Sequence, residues 1–159
     1  MDSITINRIN KAHPRIKEVL LNQYKEINRR LPANVRLRFS SVYRSSDEQD
    51  ALYKQRPKVT NAKGWQSIHN YGLAFDVVIL YDKDNNGTFE SASWDVNDVN
   101  FLAVVKYFKS KGWEWGGDWG NFPDPPHFQM TFGHTAKSLK ALIDSGKYIE
   151  HGGIKYPLL

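Results

Sequence analysis

From Leu73 to Leu80 the chain runs through eight residues of which only Asp76 is polar, and this carboxylate constrains the fold more than any other feature. A short apolar run with three β-branched residues reads as a central strand covered on both faces. An aspartate in such a strand faces a heavy desolvation cost unless a cation or a metal compensates it. His69 lies in a turn seven positions earlier, within Ser67-Ile68-His69-Asn70-Tyr71-Gly72-Leu73-Ala74-Phe75-Asp76, so both side chains can face one point. His127 follows the proline-rich turn Phe122-Pro123-Asp124-Pro125-Pro126 and opens a short strand with Phe128 and Met130. Two imidazoles and one carboxylate form a ligand set for catalytic zinc with one position left for water, whereas structural zinc is usually closed by four protein ligands. The chain has no cysteine, which limits any metal site to nitrogen and oxygen ligands and excludes disulfides and a thiol nucleophile.

The remaining pattern predicts an α+β fold. Ile16, Val19, Leu20, Tyr24, Ile27 and Leu31 recur at helical spacing after Pro14, which is placed to start a helix. Val35, Leu37, Phe39, Ser41 and Tyr43 alternate with Arg36, Arg38 and Ser40 as a half-buried strand ending at Arg44. Overlapping capping boxes at Ser45 to Gln49 predict a short helix through Ala51, Leu52 and Tyr53, followed by a loop over 57–67. Asp95 or Asn97 is expected to cap a helix carrying Val99, Leu102, Ala103, Val105 and Phe108 and ending at Gly112. Trp113 and Trp115 alternate into a strand, 116–126 is a loop, and Thr135 caps a last helix reaching Gly146. Helices and strands do not alternate regularly, so the expectation is one domain over 1–159, a central antiparallel sheet flanked by helices.

Hydrolysis at such a metal needs a base. Asp124, held three residues before His127 by the turn, can take a proton from water and pass it to a leaving amine without being a ligand itself. Arg44 can offer a planar fork to a substrate carboxylate or to a developing oxyanion. A lone histidine, turn aspartate or strand-end arginine is more often structural; the joint pattern favours function. Trp113, Trp115 and Trp119 are core and loop-packing aromatics first, with Trp119 the candidate for lining a peptide groove. His13, His134 and His151 have no supporting motif.

Asp82-Lys83-Asp84-Asn85-Asn86-Gly87-Thr88 matches the first seven positions of a calcium loop, with Asp82, Asp84 and Asn86 as oxygen donors. Position twelve is Ser93 where a bidentate glutamate belongs, so affinity should be weak unless Glu90 or Asp95 contributes, and a solvated turn is the competing reading. The net charge of +5, with 22 Lys plus Arg, favours polyanionic partners. The basic residues are scattered and no nucleic-acid motif is present, so a nucleic-acid partner is not expected. Met1 to Pro14 lacks the apolar core of a secretory signal and no run is apolar enough to span a bilayer, so the expectation is a chain made in the cytoplasm without a signal peptide. A monomer is expected.

The Ser-x-His-x-x-Gly-x-Ala-x-Asp pattern at 67–76, Trp115-Gly116-Gly117-Asp118-Trp119 and Asp124-x-x-His127-Phe128 together resemble the VanY-type zinc peptidases, of the superfamily that includes lysostaphin and the Hedgehog signalling domain. Within them the chain is most similar to the L-alanyl-D-glutamate endopeptidases of phage endolysins and some bacterial wall hydrolases, over about Val35 to Tyr148. The resemblance implies zinc on His69, Asp76 and His127, Asp124 as acid/base, and Arg44 in substrate binding and transition-state stabilisation. Ser67 and Trp119 join Arg44 as candidate substrate-binding residues. It implies peptidoglycan as the partner. Unlike fuller family members, the chain is expected to have no separate wall-binding domain, with the basic charge standing in for one, and, lacking a signal sequence, to act on the cell wall after release. A D-alanyl-D-alanine carboxypeptidase or dipeptidase on the same zinc set, or a non-catalytic wall-binding module on the same fold, remains an alternative.

Overall fold

A computed structural model describes residues 1–159 as α1 (Ser3–Ile9), α2 (Pro14–Arg30), β1 (Val35–Ser41), α3 (Ser46–Lys54), β2 (Ala74–Tyr81), β3 (Ser91–Ser93), α4 (Val99–Ser110), β4 (Glu114–Trp115), β5 (His127–Gln129), α5 (Ala136–Asp144), β6 (Tyr148–His151) and β7 (Ile154–Pro157). The main sheet has the order β1-β2-β5-β4, with β3 also paired to β2, and its described pairings are antiparallel. The apolar run 73–80 is thus the interior strand, as its composition predicts.

Period two along β2 divides its side chains. Phe75, Val77 and Ile79 join Leu37, Phe39 and Phe128 in one core cluster with Ile16, Leu20, Tyr24 and Ile27 of α2 and Phe101, Val104, Val105 and Phe108 of α4. Phe75 is its centre: it stacks on Phe39 at 4.4 Å and on Phe128 at 5.2 Å, and meets Phe108 and Trp113 edge-on at 4.8 and 4.9 Å. The opposite face of the same strands carries Asp76, so this carboxylate stands back to back with an aromatic core.

Three features depart from the sequence reading. The helix α4 is capped by Asp98, whose carboxylate accepts the N–H groups of Asn100 and Phe101, rather than by Asp95 or Asn97. Asp98 sits directly before the first helical residue, where the N-cap oxygen reaches those donors. The short α1 carries no periodic signal, and tertiary contacts hold it: Asp2 accepts from Arg38 at 2.9 Å and the Thr5 hydroxyl accepts the N–H of Phe39 at 3.0 Å. No element is expected after the last helix, yet β6 and β7 form a hairpin around Gly152-Gly153. Both glycines have positive φ, as a two-residue primed turn requires.

Candidate metal centre

His69 is delivered by the 3-10 turn Ile68–Tyr71. The Ser67 hydroxyl accepts the N–H of His69 at 3.2 Å, while Asn70 accepts the N–H of Ser67 at 3.1 Å, a reciprocal cap that sets the turn. Gly72 closes it in the left-handed region, and a Cβ there would lie 2.6 Å from the backbone nitrogen of His13. Asp76 and His127 are direct cross-strand partners in the β2–β5 ladder, so their side chains stand side by side on one face.

The three side chains converge. His69 Nε2 and His127 Nδ1 each lie 3.1 Å from the same atom, Asp76 Oδ1. This is the one group of three potential ligands in the chain whose donor atoms all fall within 4.8 Å of one another. Both imidazoles are oriented from behind: His69 Nδ1 lies 2.7 Å from the Val42 carbonyl and His127 Nε2 lies 2.8 Å from Gln129 Oε1. Those acceptors need N–H donors, and a neutral imidazole has only one N–H. The two inward nitrogens therefore present lone pairs to a carboxylate, a donor set that suits a cation and fits zinc in its nitrogen and oxygen composition.

Electrostatics agree with this geometry. Burial alone would raise the Asp76 carboxyl, but the neighbouring His69 and His127 outweigh it and hold it well below the ordinary carboxylate range. Burial lowers His127, and its bonds to Asp76 and Gln129 with the nearby Asp124 reverse this to a net rise. Asp124 is raised, by its own partial burial first and by repulsion from Asp76 second. Its Oδ2 lies 3.9 Å from His127 Nδ1 and its side chain is 48% exposed, so it borders the cluster and opens to solvent.

The cluster lies in a cleft of about 470 Å³ whose lining includes Arg44, Ser67, Trp119, Asp124 and Gln129. Every residue predicted for the site is therefore gathered in one place. Arg44 NH2 is 3.8 Å from Asp76 Oδ2, and its guanidinium donates to Gln49 at 2.9 Å and Ser41 at 3.0 Å. The amide of Gln49, fully buried, is itself fixed by donating to the Ala62 carbonyl at 2.8 Å. Trp119 packs its ring 5.3 Å from His127 and donates from Nε1 to Glu114 at 2.8 Å. The turn bearing Asp124 approaches Gly116 so closely that a Cβ there would lie 2.4 Å from the Asp124 carbonyl oxygen. The Trp115-Gly116-Gly117 segment is thus part of what positions the acid. Sequence reasoning missed Gln49, which also bonds the distant Ala62 carbonyl, and Glu114 and Gln129, which meet only across the β4–β5 pair.

The calcium-loop residues lie elsewhere. Asp82 is buried, and its two carboxylate oxygens accept the N–H groups of Asn86 at 3.1 Å and Gly87 at 2.9 Å, while Asn86 bonds Asp84 and Thr88. This is the hydrogen-bonded turn of the competing reading, and the geometry lends no support to calcium.

An open three-ligand cluster at the floor of a cleft on an antiparallel sheet defines a candidate metallohydrolase centre. Residues 60–130 match the family described as D-alanyl-D-alanine carboxypeptidase, a stretch that contains all three candidate ligands and Asp124. Over residues 60–130 the chain is thus similar to this peptidase family. It is 43% identical over 100 residues to the peptidoglycan L-alanyl-D-glutamate endopeptidase CwlK of Bacillus subtilis (strain 168), covering 55% of this chain and 56% of that protein. It is 37% identical over 68 residues to the L-alanyl-D-glutamate peptidase of Listeria phage A118, covering 42% of this chain and 22% of that one. The matches thus span about half, or less, of the relatives' length. The fold is that of the L-Ala D-Glu endopeptidase ChiX of Serratia marcescens, with a TM-score of 0.55 over 83% of this chain and 90% of that chain at 24% identity. No helix is long and apolar enough to cross a membrane.

Proposed function

We propose that this protein is a zinc-dependent endopeptidase that hydrolyses the L-alanyl-D-glutamate bond in the stem peptides of bacterial peptidoglycan. The observation that carries the reading is the convergence of His69 Nε2 and His127 Nδ1 on Asp76 Oδ1, with both outer imidazole nitrogens already committed to acceptors. His69, Asp76 and His127 would hold the ion. Zinc bound there supplies a Lewis acid that polarises the scissile carbonyl and makes water acidic near neutral pH.

The chain's own residues do the rest. Asp124, half exposed beside the cluster with its carboxyl raised from its ordinary value by partial burial, takes the proton of the attacking water and hands it to the leaving amine. Arg44, braced by Gln49 and Ser41, turns its guanidinium toward the cleft to meet the developing oxyanion or a substrate carboxylate. Trp119 and the Ser67 turn form walls of the cleft against which the peptide lies. The bond assignment rests on the names of the two curated relatives, and the charge of +5 suits a polymer rich in carboxylates.

The description of the matched family favours a second reading, removal of the terminal D-alanine by the same residues. Mass spectrometry of purified peptidoglycan after digestion separates the two. Stem peptides beginning at D-glutamate, with L-alanine left on muramic acid, are the expected products. Free D-alanine with stem peptides still attached would overturn the bond assignment. Absence of zinc from protein purified without chelator, together with no hydrolysis after zinc is added, would overturn the mechanism.

A further inference from the structure

Glu114, Gln129 and His127 form a polar line on the site face of the sheet. Gln129 is two residues beyond His127 on β5, hence on the same face, and Glu114 of β4 is its direct cross-strand partner. Gln129 Nε2 lies 3.4 Å from Glu114 Oε2, and Gln129 Oε1 lies 2.8 Å from His127 Nε2. The same Glu114 oxygen accepts Trp119 Nε1–H at 2.8 Å, so the carboxylate is held from two sides.

The chemistry of these groups leaves one arrangement. An ionised carboxylate only accepts, so Gln129 must turn its NH2 toward Glu114. Its carbonyl oxygen then faces His127 and demands an N–H at Nε2. A neutral imidazole with its proton on Nε2 has its lone pair on Nδ1, the nitrogen directed at the Asp76 cluster. Without Glu114 the amide is free to rotate by half a turn, present its NH2 to Nε2 and draw the lone pair to the wrong nitrogen.

We infer that Glu114, acting through the amide of Gln129, is a positioning residue that sets the tautomer of His127 and so the competence of the metal site. This rests on the reading of His69, Asp76 and His127 as metal ligands. Neither residue touches the reacting atoms; their effect is read in metal affinity.

The test is zinc affinity measured by competition with a chromogenic chelator, alongside the melting temperature of the metal-free proteins. Glu114→Gln is expected to weaken zinc binding about tenfold and Gln129→Ala by about 10- to 100-fold, the range for outer partners of metal-bound histidines. Adding Gln129→Glu to Glu114→Gln places a group at 129 that can only accept, which fixes the tautomer without Glu114. The double variant should bind zinc within about twofold of the parent or more tightly. This contrast is between two proteins sharing the Glu114→Gln change, so it stands even if that change lowers the metal-free melting temperature. Zinc affinity of Glu114→Gln within about twofold of the parent, or no recovery in the double variant, overturns the inference while leaving the metal site intact. A parent that binds no zinc overturns both.

Discussion

His13 and the two histidines of the cleft are equally hidden from solvent, at 2% for His13, 3% for His69 and 5% for His127, yet they are committed to different work. His13 caps α2: its Nδ1 accepts the N–H of Arg15 at 3.0 Å, and its Nε2 donates to the Pro157 carbonyl at 2.7 Å. Both ring nitrogens are satisfied by backbone. His69 spends one nitrogen on the Val42 carbonyl and His127 one on the Gln129 side chain, and each aims the other at a shared carboxylate oxygen. What distinguishes a ligand from a structural histidine here is the nitrogen left facing an acceptor, not burial.

The largest effect expected on the cleft side of this contrast comes from Asp124→Asn. It removes the proposed proton carrier and leaves the three candidate ligands in place, so kcat should fall by about 10²- to 10⁴-fold while zinc content is unchanged. A variant that digests peptidoglycan at the parent's rate would remove Asp124 from the mechanism. Next in size is stabilisation by zinc itself. At a free concentration about a thousandfold above Kd, zinc should add about 4 kcal/mol to the stability of the parent, read as a chelator-reversible rise in Tm. His127→Ala should lose that rise and His13→Ala should keep it. Loss of the zinc response in His13→Ala as well would erase the distinction between the two kinds of histidine.

How far each side was legible in the sequence follows the same division. His69, Asp76 and Asp124 with His127 announce themselves by local spacing, because a turn, a strand and a proline-fixed loop each place their residue within a few positions of the next. The interior place of β2 is likewise written in the apolar run around Asp76. His13 gave no such signal, since its partner Pro157 is 144 positions away and the alternation of the terminal hairpin went unread, although Gly152-Gly153 between two short alternating segments marks it. Glu114 and Gln129 meet only through strand register, which no single segment encodes. Asp98 was passed over for Asp95 and Asn97 because three capping residues crowd one short stretch, and only the helix start selects among them.

On the structural side, His13→Ala removes the cap and leaves the Pro157 carbonyl without its donor, a loss of about 1–3 kcal/mol in stability measured by denaturant unfolding.

The smallest effect is a pH dependence that separates the histidines by sign. Burial, helped by the charge of Arg15 and opposed by the bond to Pro157, lowers His13 from its ordinary value near 6.5. The unfolded chain therefore binds a proton there more readily than the folded one. Stability from His13 is fully present above pH 6.5 and is lost as the pH falls from 6.5 toward the lower folded value, by at most about 1.4 kcal/mol per unit for one proton. His127, raised by Asp76 and Gln129 against its burial, has the opposite sign in metal-free protein: its contribution is present below 6.5 and lost as the pH rises through its folded value. Asparagine keeps the capping oxygen at position 13 and removes the titration. The stability difference between the metal-free parent and His13→Asn should therefore shift against the parent as the pH is lowered from 7.5 to 5. A difference that stays constant over that range would mean that the folded protein accommodates a charged His13 as easily as the unfolded chain does, and the cap would then hold by contacts that do not depend on the Nδ1 lone pair.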